Sequence, residues 1–156
     1  MIMASGKDRA EILKLLMETG ANANAKTLKG ETLLMAAANQ STAEVVSLLM
    51  DKGADIKARD SRGNTALLSA LSAHYYKPDV VRILVNRGAD VKLRSKNGRT
   101  ALMAAAERHD PLSAKLLLQK GIDVNAGTLD GDTALKIAIR NNDIALGDLL
   151  RNAGAK

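Results

Sequence analysis

The sequence contains no cysteine, phenylalanine or tryptophan among its 156 residues. Without cysteine, the chain cannot form a disulfide scaffold, a cysteine-based zinc site or a reactive thiol. Its aromatic side chains are limited to two adjacent tyrosines, Tyr75 and Tyr76. A β-sandwich or β-barrel core would need more aromatic and β-branched residues, so the composition argues against an all-β fold.

Long apolar runs and a recognisable leader are also missing. No stretch of the sequence approaches the length that a membrane-spanning helix needs. The first seven residues, MIMASGK, have neither the basic start nor the long apolar run of a signal peptide. We therefore expect an intracellular protein, located in the cytoplasm, with no membrane partner.

Apolar residues nevertheless make up 46% of the chain, mostly as Ala, Leu, Val, Ile and Met. Such side chains suit closely packed helices, because alanine lets backbones approach and leucine or methionine fills the remaining space. The formal net charge is +6. A basic chain can bind an acidic protein or nucleic acid, or its charge can serve solubility alone.

Two series of glycines recur with a period near 33 residues. The first series is spaced by 33, 35, 33 and 33 residues and consists of Gly20, Gly53, Gly88, Gly121 and Gly154. The second is spaced by 33, 35 and 33 residues and consists of Gly30, Gly63, Gly98 and Gly131. Each glycine of the second series precedes a threonine, a leucine and an alanine at constant offsets, as in Thr32, Leu34 and Ala37. Coincident series at one period predict a stack of repeated structural units.

Each unit has the residue types of a turn followed by two helices. A glycine such as Gly63 suits the positive φ of a hairpin tip, and the threonine after it suits a helix N-cap. A second helix follows a polar break, as in residues 44–50, where apolar residues share one face. Gly53 then suits the left-handed position that ends a helix.

The motifs Gly-x-Thr-x-Leu with a following Ala, Glu-Val-Val-x-Leu-Leu and Gly-Ala-Asp-Val-x-Ala together resemble the ankyrin repeat. The resemblance covers essentially the whole chain. It implies an all-α-dominated repeat solenoid of antiparallel helix pairs with short projecting β-hairpins. It also implies a non-catalytic module that binds other proteins through its hairpin tips and the concave face of its first helices. We divide the single domain, 1–156, into units at about 1–26, 27–59, 60–94, 95–127 and 128–156.

The chain departs from the family pattern in its helix starts. No unit keeps the proline or the histidine of the family's Thr-Pro-Leu-His motif, and residues 32–35, for example, read TLLM. Because proline at the first helical turn restricts the unfolded chain, we expect a lower stability than that of a consensus array.

The ends and the middle of the array also depart from the period. Unit one begins inside its first helix, with Met1 at the leucine position and Ala4 at the alanine position, and it lacks a hairpin. We expect a monomer, although this open N-terminal unit could associate. In unit five, Lys136 and Arg151 replace apolar residues, as a solvent-facing C-terminal cap requires. Unit three has two extra residues between its helices, in the stretch 73–78 that contains both tyrosines.

Catalytic patterns are scarce. His74 and His109 occupy equivalent positions in neighbouring units, but no third metal ligand is patterned near them, so a structural role is favoured. The sequence has no phosphate-binding loop, dinucleotide fingerprint or nucleophile elbow. We therefore predict no enzymatic activity, no metal site and no cofactor.

Basic residues concentrate around the predicted hairpins, and we call this set the basic comb. It consists of Lys26, Lys29, Lys57, Arg59, Arg62, Lys92, Arg94, Lys96 and Arg99. Glu31 and Asp60 oppose it, and the last tip reverses sign with Asp130 and Asp132. Two interpretations remain open: a solvated surface without a partner, or a surface that steers an acidic protein. Nucleic acid is the less favoured partner, because no aromatic residues interleave with the basic ones.

The ends of the first helices vary between units and are expected to form the concave face. Tyr75 and Tyr76 either pack a longer turn or contact a partner. The candidate partner-binding residues are Lys29, Arg59, Arg62, Arg94, Lys96, Arg99, Asn39, Gln40, Glu107, Arg108, Tyr75 and Tyr76. The predicted function is protein binding without catalysis. The alternatives are a regulatory or targeting segment of a larger protein and, less favoured, a nucleic-acid-binding surface.

Overall fold

A computed structural model describes residues 6–156, which form a solenoid of stacked helices. The helices are α1 (Gly6–Glu18), α2 (Leu33–Gln40), α3 (Ala43–Asp51), α4 (Ala66–Leu71), α5 (Pro78–Asn86), α6 (Ala101–Glu107), α7 (Pro111–Gln119), α8 (Ala134–Arg140) and α9 (Ile144–Asn152). The even-numbered helices pack on one another in an inner row, and the odd-numbered helices do so in an outer row. From unit two onward, the two helices of each unit also pack together.

Each inner helix begins at the threonine that the repeat predicts as its N-cap. The Oγ1 atom of Thr32 accepts the Met35 N–H at 3.2 Å, and Thr100 accepts the Met103 N–H at 3.3 Å. The other two threonines of the series cap α4 and α8 in the same way. This bond satisfies an otherwise orphaned donor of the first turn, so the N-cap prediction is confirmed.

The hydrophobic core consists of the leucine and alanine series that the period identifies. Leu34, Leu67 and Leu102 are buried, and so are Ala70 and Ala105. The small alanines let neighbouring inner helices approach closely while the leucines fill the space between units. Four hairpins connect successive units, and two of them contain an isolated antiparallel bridge, Lys26 with Thr32 and Gly127 with Thr133.

The first unit differs from the predicted helix pair. Helix α1 runs without interruption through positions 8 and 9, where the register places the break that precedes α3 in unit two. Thr42 caps α3 by accepting the Val45 N–H, whereas the equivalent residue of unit one is Arg9, which has no acceptor in its side chain. The predicted positions of Met1 and Ala4 lie outside the described residues.

The two ends of the stack expose different surfaces. At one end, Leu33 is 37% exposed although the alanines at its equivalent positions are buried, and Ile12 and Leu16 of α1 are exposed beside it. At the other end, Lys136 is exposed where the equivalent Met103 is buried. Unit five therefore carries a charge at one position that is buried in unit four, although Ile139, at another such position, is apolar and 54% exposed.

Two asparagines tie neighbouring units together below the hairpins. The Nδ2 atom of Asn24 donates to the Gly53 carbonyl at 2.9 Å, and its Oδ1 accepts the Asp55 N–H at 2.7 Å. Asn125 makes the same pair of bonds to unit five. The equivalent residues of units two and three are Lys57 and Lys92. A lysine side chain has no acceptor, so it cannot reproduce this pair.

The insertion of unit three brings Tyr76 into the junction with unit four. Its hydroxyl donates to the Asp110 carboxylate and lies 2.9 Å from Ser113 Oγ. Asp110 is also the N-cap of α7 and accepts the Leu112 and Ser113 N–H groups at 3.1 and 3.0 Å. Arg108 lies over the Tyr76 ring, 5.8 Å from its centroid, and donates to carbonyls of unit three. Tyr76 therefore packs the longer turn.

The ionisation of this junction follows from its hydrogen bonds. Burial by itself would raise the pKa of Asp110, but the hydrogen bonds from Ser113 and Tyr76 outweigh it and leave that pKa below its usual value of 3.8. Burial, together with the Asp110 carboxylate, raises the pKa of Tyr76. The tyrosine thus remains a donor to an ionised carboxylate at neutral pH.

We predict that Lys92→Asn stabilises the fold, because the new side chain can bond the Gly121 carbonyl and the Asp123 N–H. Neither group has a hydrogen-bond partner among the described residues. The expected gain is about 1 kcal/mol in the free energy of unfolding, measured in urea. Lys92→Ala is the control, since it removes the same charge without supplying the bonds. Equal stabilities of the two variants would contradict the prediction.

We also predict that Tyr76→Phe destabilises the fold by roughly 2 kcal/mol at pH 7, because it removes a hydrogen bond to an ionised group. The folded pKa of Asp110 is lowered, so the stability from this carboxylate is present above its unfolded value of 3.8 and is lost as the pH falls through the folded value. The difference between variant and parent should therefore shrink below that pH. Tyr75→Phe is the matched control, because Tyr75 is 76% exposed. A similar loss in both variants would refute the assignment.

Candidate functional site

All four hairpin tips are built on one local plan. The side-chain oxygen of the residue three positions before the tip glycine accepts a hydrogen bond from the backbone N–H of the residue that follows the glycine. Thr27 accepts from Glu31 at 3.2 Å, and Asp60 accepts from Asn64 at 2.8 Å. Ser95 and Thr128 do the same in units four and five. The two residues before each glycine can therefore change in chemistry without changing the turn.

Backbone hydrogen bonds join the tips into one continuous edge. The carbonyls of Lys29 and Arg62 each accept an N–H from the next tip at 2.8 Å, and the Asn97 carbonyl accepts the Leu129 N–H at 3.0 Å. Gly98 shows how close the tips are, since its φ is +84° and a Cβ there would lie 2.9 Å from the Gly127 oxygen. The side chains of the tips are thus held in a fixed row.

A groove of about 510 Å³ lies between this edge and the inner helices, and we call it the hairpin groove. Residues of α4 and the end of α2 supply the helix side, namely Asn39, Leu68, Ser69 and Ser72. The tips of units two to four supply the other side, namely Glu31, Asp60, Ser61, Arg62, Asn64, Ser95, Lys96, Asn97 and Arg99. The lining is rich in hydroxyl, amide and cationic groups, which can bind carboxylates and peptide groups.

The groove lining carries three basic side chains, Arg62, Lys96 and Arg99, and two acidic ones, the exposed Glu31 and Asp60. The Asp60 side chain is 9% exposed and accepts three hydrogen bonds within its own hairpin. Burial alone would raise the pKa of Asp60, but these bonds, above all from Asn64, lower it. Asp60 therefore stays ionised, and its charge is offset by these bonds and by Arg62, whose Nε lies 3.7 Å from Asp60 Oδ2. The Arg62 side chain is otherwise 83% exposed, and Lys96 has no ion pair among the described residues.

The structure divides the basic comb. Arg62, Lys96 and Arg99 line the hairpin groove together. Arg59 and Arg94 do not line it. Arg59 donates to the Arg94 carbonyl, and the Arg94 guanidinium binds the Asp123 carboxylate at 2.9 Å. These two arginines link neighbouring units on the other side of the hairpins. Lys29 is exposed at the tip of unit two, outside the groove lining.

Arg99 is held by an internal ion pair with Glu107 at the end of α6. Its Nε atom is buried and has no hydrogen-bond partner within the part of the chain that the structure describes. The equivalent pair of unit five, Asp132 and Arg140, has the opposite polarity and a separation of 3.1 Å. The two pairs are related by the 33-residue period. An anion that reaches Arg99 must therefore compete with the Glu107 carboxylate.

The other predicted residues lie elsewhere. Gln40 borders the apolar surface beside α1, Arg108 and Tyr76 belong to the junction described above, and Tyr75 is exposed with its ring edge-on to His74. His109 is 3.1 Å from Asp143, the N-cap of α9. Within residues 6–156, none of the side chains that the structure describes, those of residues 11–156, form a group of three histidines or carboxylates that could hold a metal. No helix in that same range is long and apolar enough to cross a membrane.

Sequence reasoning missed most of the polar lining of the groove. The polar residues that were not predicted as members of one site are Glu31, Asp60, Ser61, Asn64, Ser69, Ser95 and Asn97. Their positions in the repeat could have identified them, because they recur at the hairpin tip and at the end of the inner helix. The period does not indicate on which side of the hairpin each basic side chain lies.

Comparison with known families agrees with this architecture. A family model described as ankyrin repeats (3 copies) matches residues 1–95 and 72–156. No curated protein matches the chain. Ankyrin repeats generally mediate protein–protein interaction and are typically non-catalytic. The matched residues extend over the full sequence, so the chain belongs to the ankyrin repeat family.

Proposed function

We propose that this chain binds an acidic segment of a protein partner in the hairpin groove. The observation that supports it is the convergence of Arg62, Lys96 and Arg99 on one groove, in which the partly buried Asp60 carboxylate is already bonded within its own turn. The general role of the family in protein–protein interaction agrees with such a partner.

The charges and the polar groups of the groove have different roles in this proposal. Exposed ion pairs contribute little net affinity, because water weakens their attraction and holding two long side chains in one geometry costs conformational entropy. Arg62 and Lys96 therefore mainly speed the encounter with an acidic segment. Hydroxyl and amide groups such as those of Ser69 and Asn97 bind the backbone and side chains of the segment once it is in the groove.

We predict that the double variant Arg62→Glu and Lys96→Glu weakens binding of an acidic peptide by at least tenfold, because it reverses the sign of the groove. The probe is a fluorescein-labelled peptide of alternating glutamate and serine, and the measurement is anisotropy at low and at physiological salt. Salt dependence should fall together with affinity.

The control for that variant is Arg82→Glu with Lys115→Glu, which makes the same change in net charge on exposed residues of the outer row. Unchanged binding of the acidic peptide by the groove variant would overturn the proposal. Equal weakening by both variants would also overturn it, because the attraction would then be a property of the net charge. Tighter binding of single-stranded RNA than of the acidic peptide would favour the nucleic-acid alternative.

We further predict that Glu107→Gln strengthens binding of the acidic peptide by roughly twofold to fivefold. Arg99 is paired with the Glu107 carboxylate, and in the variant the peptide no longer competes with that carboxylate for Arg99. Arg140→Gln is the matched control, because it breaks the equivalent ion pair of unit five outside the groove. If Glu107→Gln binds no more tightly than the Arg140→Gln variant, Arg99 does not take part in recognition.

A further inference from the structure

Leu28 and Leu129 are the two most exposed large apolar side chains of the described residues, at 108% and 82%. Both occupy the same position of the repeat, two residues before the tip glycine. Ser61 and Lys96 occupy that position in the two units between them. Single exposed apolar residues are common on protein surfaces, but these two lie at matching sites on either side of the hairpin groove.

Neither leucine is needed for the fold. Units three and four form the same turn with Ser61 and Lys96 in place of the leucine, and the closing backbone bonds have the same length, 3.0 Å, in units two to four. Leu28 and Leu129 are also not part of the hydrophobic core. Their side chains are therefore available to be buried when a partner covers the tips.

We infer that Leu28 and Leu129 are apolar anchor points for the ends of the bound segment, an inference that rests on the proposed function of the groove. The partner segment then has an acidic stretch bounded by an apolar residue on each side. Acidic residues in the segment lie toward Leu28, because Asp130 next to Leu129 repels them.

The stacking sets the spacing of the two apolar residues in the partner. The tips of units two and five are separated by three steps of the array, and neighbouring packed helices are about 8–10 Å apart. Three steps correspond to about 24–30 Å, which an extended peptide spans with roughly seven to nine residues. A segment with its apolar residues much closer together cannot reach both leucines.

Three synthetic peptides test the inference. The first has a glutamate- and serine-containing centre with leucines about nine residues apart, the second has serines in place of those leucines, and the third has the leucines four residues apart. The unchanged chain should bind the first peptide about tenfold more tightly than either of the others. The double variant Leu28→Ser and Leu129→Ser should bind all three equally, and its affinity for the second peptide should match that of the unchanged chain.

Leu112→Ser is the matched control, because Leu112 is 75% exposed on the outer row, away from the tips. It should retain the tenfold preference. Equal binding of the first two peptides by the unchanged chain would overturn the anchor inference alone, as would a preference that survives in the double variant. Failure of the unchanged chain to bind any of the acidic peptides would overturn the proposed function and this inference with it. Urea unfolding of both variants establishes that each remains folded.

Discussion

The burial of one leucine and one alanine series between consecutive units is the interaction on which the rest of the structure depends. A single unit cannot cover the apolar face of its inner helix, so each unit is stable only against its neighbours. Leu67 and Ala70 show this directly, because both are buried in the stack of inner helices. The spacing of these helices sets the spacing of the hairpins, which join through the backbone bonds of Lys29, Arg62 and Asn97. The groove thus follows from core packing, although no core residue specifies its chemistry.

The chemistry of the groove comes from positions that the turn leaves free. The acceptor at each tip is threonine, aspartate or serine, and the glycine is constant, while the two residues between them vary. Arg62 and Lys96 belong to this variable part, whereas Arg59 and Arg94 lie in the hairpin arms, where they bond the neighbouring unit. Arginine therefore lines the groove at one position of the repeat and bonds the neighbouring unit at another.

Much of the fold could be predicted from the sequence, because the period identifies residues with a fixed local task. Thr32 and Thr100 cap helices, and Leu34 and Leu102 are buried, as their series indicate. The continuous helix α1 was not predicted, since the register of Met1 and Ala4 indicated only a truncated first helix, and the lack of a capping side chain at Arg9 was not considered. The division of the basic comb was not predictable from spacing, because it depends on the three-dimensional path of long side chains. The pairing of Arg99 with Glu107 was accessible in principle, since the same two positions carry opposite charges in unit five.

The insertion in unit three lies outside the groove lining but bonds the units that carry the groove. Lys57 and Lys92 replace the asparagines that tie the outer pairs of units, so the junctions on either side of unit three lack those bonds. At the opposite side of both junctions, the insertion supplies other bonds. Lys77 donates to the Ser41 carbonyl of unit two at 3.0 Å, and Tyr76 donates to Asp110 of unit four. Unit three is therefore fastened to both neighbours through its inter-helix turn. Since these same junctions support the hairpin groove, the two-residue irregularity in the period is part of what maintains the geometry of the candidate binding site.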